Sequence, residues 1–298
     1  MVSYIGSILV LAIGFILASK GRAEVNIKWF GTSNIIIADE TNAIAFDPFF
    51  TRPNLLQLLS KSHIPSRQAF VDEVLAKGKV KQIEAIFVSH SHYDHVLDLA
   101  TLGSRFGSQL IVDANARSYA LSLGYDKVNI IQQKAFEQHQ FGQFKVTVLP
   151  SQHAPHLSCK VFLNGKSESP FPQKPNVLDF RALESYAYLI EHPHITVFFS
   201  PSSLGDLGEM FPDAFPSVDI VIVSIASRMS TDHLLNSLVL PLQPKFIVPV
   251  HHDNMFRSLN RGLSFSNLVD VDEFLQSSED SLANARLVFP EYFSALSF

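Results

Sequence analysis

Twice along this chain a group of short apolar strands gives way to strands alternating with amphipathic helices, and few folds accommodate that order. "NIKWF" (26–30), "NIIIAD" (34–39) and "AIAFD" (43–47) are β-branched or aromatic runs separated by "GTS" and "ETN" turn residues, so they are expected as successive antiparallel strands. "SRQAFVDEVLAKG" (66–78) places Phe70, Val71, Val74 and Leu75 on one face and stops at Gly78, a helix with a C-terminal signal. A buried strand "AIFVS" (85–89), a helix near 94–104, a strand "LIVD" (110–113), a helix near 115–123 and strands at 128–131 and 144–150 complete the first half. The second half repeats the grammar, with strands expected at 185–191, 195–200, 219–225 and 245–250 and helices near 231–239 and 271–277. Between them, "LNGKSESPFPQKPNVLDFRALE" (163–184) is rich in Pro and Ser and reads as a long loop of the kind that often carries function. Two such halves imply an α+β chain with two sheets face to face and helices outside.

The strand at 85–89 runs straight into "SHSHYDH", which sets His90, His92, Asp94 and His95 within six positions. Extended residues two apart face the same way, so His90 and His92 can address one atom. Asp94 and His95 fall at the start of the following helix, turned toward a neighbouring point. Imidazole nitrogens and a carboxylate are donors that zinc, iron and manganese accept, and such an ion brings the pKa of its water to roughly 7. Further donors should come from other strand ends. "VTVLPSQHAPH" offers His153, with His156 as competitor; "FIVPVHHDNMF" offers His251, with His252 beside it.

Composition sets limits on the function. Hydrophobic residues make up 47% and charged residues 17%, which fits a globular chain. A net charge of −5 with scattered basic residues argues against a nucleic-acid surface. The single cysteine, Cys159, has no intrachain partner and reads as a packing residue. Residues 1–23 stand apart: there is no charged side chain before Lys20, Ile5 to Ala18 is almost wholly apolar, and Gly21 and Ala23 offer a small-residue junction. That is expected to be a signal peptide or an N-terminal membrane anchor, with residues 24–298 as the folded domain in an exported or membrane-anchored protein.

Over roughly residues 26 to 260 the chain resembles the metallo-β-lactamase superfamily of metal-dependent hydrolases. "SHSHYDH" is similar to that family's signature, "WFGTSNIIIADETNAIAFDPFFTRP" to its N-terminal strands, and "PSQH" and "VPVHHDNMF" to its later histidine motifs. The branch it looks most like holds N-acyl-phosphatidylethanolamine phospholipase D and ascorbate-phosphate lactonase relatives. The resemblance implies a four-layer αββα sandwich. It gives His90, His92 and His153 to one ion and Asp94, His95 and His251 to a second, with the bridging water or hydroxide as nucleophile and Asp94 in the catalytic set. Asp47 would orient a ligand histidine. One or two divalent ions, zinc first, would serve hydrolysis of an ester, phosphoester or lactone in a small or lipid-like substrate.

One position departs from the family. After "ITVFFS" the family has Gly-Asp, whose carboxylate bridges the ions; here the chain reads "SPSSLGD", with Ser202 at that place and Asp206 four residues on. Loss of the bridge would weaken the second ion most. A protein that kept the fold and only binds is therefore the alternative expectation.

Overall fold

The computed structural model describes residues 24–155, 160–282 and 285–298. The apolar N-terminal segment, His156 and Cys159 lie outside the described residues, and with them the readings made of each. Among the described residues no helix is long and apolar enough to cross a membrane.

The first sheet takes β1 (Asn26–Trp29), β2 (Ile35–Ala38), β3 (Ala43–Phe46), β4 (Ala85–Phe87), β5 (Gln109–Val112) and β6 (Ile130–Gln132). The second takes β7 (Gln138–Phe141), β8 (Phe144–Ser151), β9 (Ser185–His192), β10 (Ile195–Ser200), β11 (Ile220–Ser224), β12 (Phe246–Val250) and β13 (Arg286–Leu287). The last strand, β14 (Ala295–Ser297), returns to the first sheet beside β1. Their orders are β14-β1-β2-β3-β4-β5-β6 and β13-β12-β11-β10-β9-β8-β7. In both, antiparallel pairing gives way to parallel pairing, from β3 onward in one and from β10 onward in the other. The repeated pattern in sequence is thus a repeated sheet.

Strand alternation sorts side chains into layers. Ile27, Ile35, Ile37, Ile44, Phe46 and Phe87 from one sheet meet Val146, Tyr188, Ile190, Val197, Phe199 and Ile222 from the other in the central core. The residues between them point outward and are covered by helices: α1 (Leu55–Leu59), α2 (Gln68–Lys77), α3 (Tyr93–Val96), α4 (Leu99–Phe106) and α5 (Ala114–Ser122) belong to the first half, and α6 (Leu207–Met210), α7 (Thr231–Leu234) and α8 (Val271–Ser281) to the second. Val71, Val74, Leu102 and Ala116 cover Ile36, Ile86 and Leu110, while Leu207, Leu234 and Phe274 cover Phe198, Val221 and Ile247. The result is the expected αββα sandwich.

Local differences have local causes. The helix expected near 94–104 is two helices, broken at Asp98, whose buried carboxylate turns inward to accept the backbone N–H groups of Phe50 and Thr51 at 2.6 Å each. The segment expected as a helix at 231–239 is one α-turn followed by a π-turn at Leu235–Val239. The short or polar elements α1, α6, β7, β13 and β14 carry too little periodicity to read.

Parallel strands align their C-terminal ends, and those ends form the working edge of open α/β sheets. Here β3, β4, β10 and β12 release Asp47, His90, Ser202 and His251 at that edge, and β8, which runs parallel to β10 across β9, releases His153.

Candidate metal centre

His90, His92 and His153 come together so that one ligand atom from each lies within 4.8 Å of the others, and Asp94, His95 and His251 do the same beside them. The two groups touch: the His90 and His95 rings are 3.8 Å apart, centre to centre. These are the two triads that the resemblance implied.

Each side chain in the first triad is anchored by one ring nitrogen. His90 Nδ1 lies 3.1 Å from Ser89 Oγ. His92 Nε2 donates to the Phe162 carbonyl at 3.0 Å, and His153 Nδ1 to the Ala154 carbonyl at 2.6 Å. The Leu163 carbonyl, 3.3 Å from the same His92 nitrogen, brings the start of the long loop to the centre. The His90 Nε2, by contrast, is buried and has no hydrogen-bond partner. Buried polar atoms are rarely left so, and a nitrogen lone pair among converging imidazoles suits a cation. The donor set as a whole, five imidazoles and one carboxylate, fits a divalent ion of the zinc, iron or manganese type.

Charge anchors the second triad. Asp47, fully buried, accepts from Ser89 N, Ser89 Oγ and His95 Nδ1, each at 2.7 Å. Asp94 Oδ2 lies 3.3 Å from His251 Nε2 and 3.6 Å from His95 Nε2. Burial and the neighbouring His95, His153 and His92 push the His90 imidazole well below its usual pKa, so it is neutral. Burial would also lower His95, but the carboxylates of Asp47 and Asp94 outweigh it and raise its pKa. Burial works against the Asp94 carboxylate as well; His95 and His251 nevertheless hold it far below the usual range.

The positions left open resolve by packing. His252 is buried against Trp29 at 4.8 Å, with Phe265 and Phe289 around it, so His251 is the histidine that faces the centre. Ser202 is buried, lines the cavity and accepts the Ala154 N–H at 2.9 Å, next to His153. Asp206 is exposed and caps α6 by accepting from Gly208 N at 2.7 Å. It is a helix-start residue and takes no place in the cavity lining.

A cavity of about 260 Å³ opens over both triads. Serines 202, 203, 224, 227 and 266 form one part of its lining, and Phe162, Leu163, Met255, Leu268 and Val269 form an apolar part. Phe162 and Leu268 are 54% and 80% exposed, which marks them as rim rather than floor. Among the described lining residues there is no lysine or arginine. The sequence did not single out Ser89, Phe162, Leu268 or the Asp253 and Arg52 pair behind His251. Arg52 stood in plain view in "FDPFFTRP", but nothing local says what it pairs with.

Comparison with known proteins gives the family and the fold. Residues 26–251 match the family described as the β-lactamase superfamily domain. A metal-dependent hydrolase of the UPF0173 group from Anaeromyxobacter dehalogenans is 23% identical over 238 residues, 78% of this chain and 76% of that protein. One from Carboxydothermus hydrogenoformans is 25% identical over 231 residues, 77% of this chain and 85% of that protein. In three dimensions the fold is similar to Igni18, a metallo hydrolase from Ignicoccus hospitalis, with a TM-score of 0.57 at 16% identity over 92% of this chain and 98% of Igni18. The chain belongs to the β-lactamase superfamily and has the metallo-β-lactamase fold.

Proposed function

We propose that this member of the superfamily is a metal-dependent hydrolase whose substrate is a neutral ester or lactone with an apolar arm. The observation that carries the metal part is the buried, unpartnered His90 Nε2 at the meeting of two donor triads. His90, His92 and His153 would hold one ion, and Asp94, His95 and His251 a second, with zinc as the resident metal because imidazole-rich sets suit it. A divalent ion bound there supplies Lewis acidity and water ionised near neutral pH.

The remaining chemistry belongs to the chain. Asp94 stays anionic through the neutral range and can orient an attacking water by accepting its proton-bearing edge at a carboxylate oxygen. Asp47 fixes the tautomer of His95 by accepting a hydrogen bond from its Nδ1–H. Phe162, Leu163, Met255 and Leu268 supply apolar surface for an acyl or alkyl arm beside the two triads. A phosphomonoester would bring two charges to a lining whose described residues offer no Lys or Arg to meet them.

The test is a substrate panel on purified protein of known metal content. Esters of p-nitrophenol with lengthening acyl chains and simple lactones should be hydrolysed, with a chelator abolishing the rate; preferential turnover of p-nitrophenyl phosphate would overturn the substrate assignment. For the N-terminal segment, the apolar Ile5–Ala18 run supports export or anchoring. Mature protein starting near residue 24, or full-length protein in the membrane fraction, is the expected outcome; full-length soluble cytoplasmic protein would count against it.

A further inference from the structure

We propose that Arg52 is a positioning residue for the second ion, so that the single stretch 47–52 orients both histidines of that triad. The inference rests on reading Asp94, His95 and His251 as ligands. Asp47 opens the stretch and holds His95 at 2.7 Å. Five residues on, the Arg52 guanidinium is buried, and its Nη2 meets Asp253 Oδ2 at 2.5 Å. Tyr292 Oη donates to the same oxygen at 2.5 Å. The other oxygen, Asp253 Oδ1, accepts from Thr32 N at 2.8 Å, and the Thr32 carbonyl accepts from His251 N at 2.9 Å. Arg52 Nη1 also donates to the carbonyls of Asn254 and Arg257, at 3.1 Å each. The turn that presents His251 is thereby held both before and after Asp253.

That turn needs holding. His251 has φ +60° and Thr32 φ +46°, left-handed conformations that side chains rarely adopt unless their surroundings fix them. Position 31 shows how tightly the fork is seated: with φ +91° it favours glycine, and a Cβ there would lie 1.8 Å from Arg52 Nη2 and 2.7 Å from Asp253 Oδ2. A lysine keeps the charge of Arg52 but not the fork that meets a carboxylate and two carbonyls at once. The first triad is held by other groups, Ser89 for His90, the Phe162 and Leu163 carbonyls for His92 and the Ala154 carbonyl for His153, whereas Arg52 and Asp253 bond to one another and to Thr32, Asn254, Arg257 and Tyr292. Loss of the fork should therefore fall on the second ion alone, which separates a positioning role from a general structural one.

The experiment is titration of the full-length apo-protein with Zn²⁺, and with Co²⁺ followed by its visible absorption. Wild type is compared with Arg52→Lys, Arg52→Met and Asp253→Asn, and with Val71→Ala as a core variant remote from the centre. The three network variants should weaken the second ion by about 10–100-fold, the usual effect of losing an outer partner of a ligand, and leave the first unchanged. Val71→Ala should lower the melting temperature and change neither. Unchanged second-ion affinity in Arg52→Lys and Asp253→Asn would overturn the proposal, as would parallel weakening of both ions, or a wild type that takes only one ion at millimolar metal. A wild type that binds no ion removes the reading of the centre itself, and this proposal with it.

Discussion

The two triads are neighbours on one edge of the sandwich, yet they are held by different means. His92 and His153 are tied to backbone carbonyls and His90 to a serine hydroxyl, and all of these partners are neutral. His95 and the turn bearing His251 are tied to buried carboxylates, Asp47 and Asp253, the latter balanced by Arg52. In the first triad Ser89 and Ala154 adjoin the histidines they hold, and only the Phe162 carbonyl comes from farther off, 70 residues along the chain. The second depends on charged groups brought from distant parts of the chain, and it lacks the family's bridging carboxylate at Ser202. A neutral anchor leaves no charge behind when it is lost, whereas a buried charge stripped of its partner is costly. The second triad should be the more fragile and more tunable of the two.

The largest effect is expected from His92→Ala. Removing a ligand of the first triad should abolish most bound metal and hydrolysis, a greater loss than the roughly 100-fold that an outer partner costs. The fold should survive, because His92 lies at the sandwich edge outside the hydrophobic core clusters. Full metal content and rate in this variant would dissolve the comparison. Next comes Asp47→Ala, which should weaken the second ion by about 10–100-fold and the first less, because His90 reaches Asp47 only through the Ser89 hydroxyl. It also leaves Ser89 and His95 donors buried without an acceptor, a stability loss of about 1–3 kcal/mol in denaturant unfolding.

Ser202→Asp acts in the other direction. A carboxylate beside the triads should tighten the second ion by about tenfold, roughly 1.4 kcal/mol, and move the metal-to-protein ratio toward two. Two tight sites already present in the wild type would show that the missing bridge is not what separates the triads.

Asp113→Asn should disturb the centre least, and it asks whether support behind the first triad is as neutral as the comparison holds. Asp113 accepts from Ser91, which stands between His90 and His92, and from Ala116 N. Burial, with Glu184 nearby, pushes its carboxyl up to about 6 against these hydrogen bonds. The folded state therefore favours the protonated form, so this contribution to stability is complete below the unfolded pKa of about 3.9 and is lost as pH rises through about 6. Wild type should lose up to about 3 kcal/mol relative to Asp113→Asn between pH 4 and pH 7 in urea unfolding, with metal affinity at pH 7 little altered. A constant difference across that range would mean the carboxyl titrates normally.

The sequence by itself determined the alternating halves, the strands that end at the working edge and the histidines of the "SHSHYDH" cluster. These follow from side-chain period, turn residues and adjacency along the chain, all of which are local. It also exposed Ser202 as the departure from the family pattern. Only the tertiary structure decided that His251 rather than His252 faces the centre, since the left-handed turn at His251 presents that ring while its neighbour packs on Trp29. Only the tertiary structure reduced Asp206 to a helix cap, laid the Phe162 carbonyl on His92 and paired Arg52 with Asp253 across 201 residues. Those contacts join segments with no common local pattern, and the closing of the two sheets on one another, rather than any property of the segments, brings them within reach.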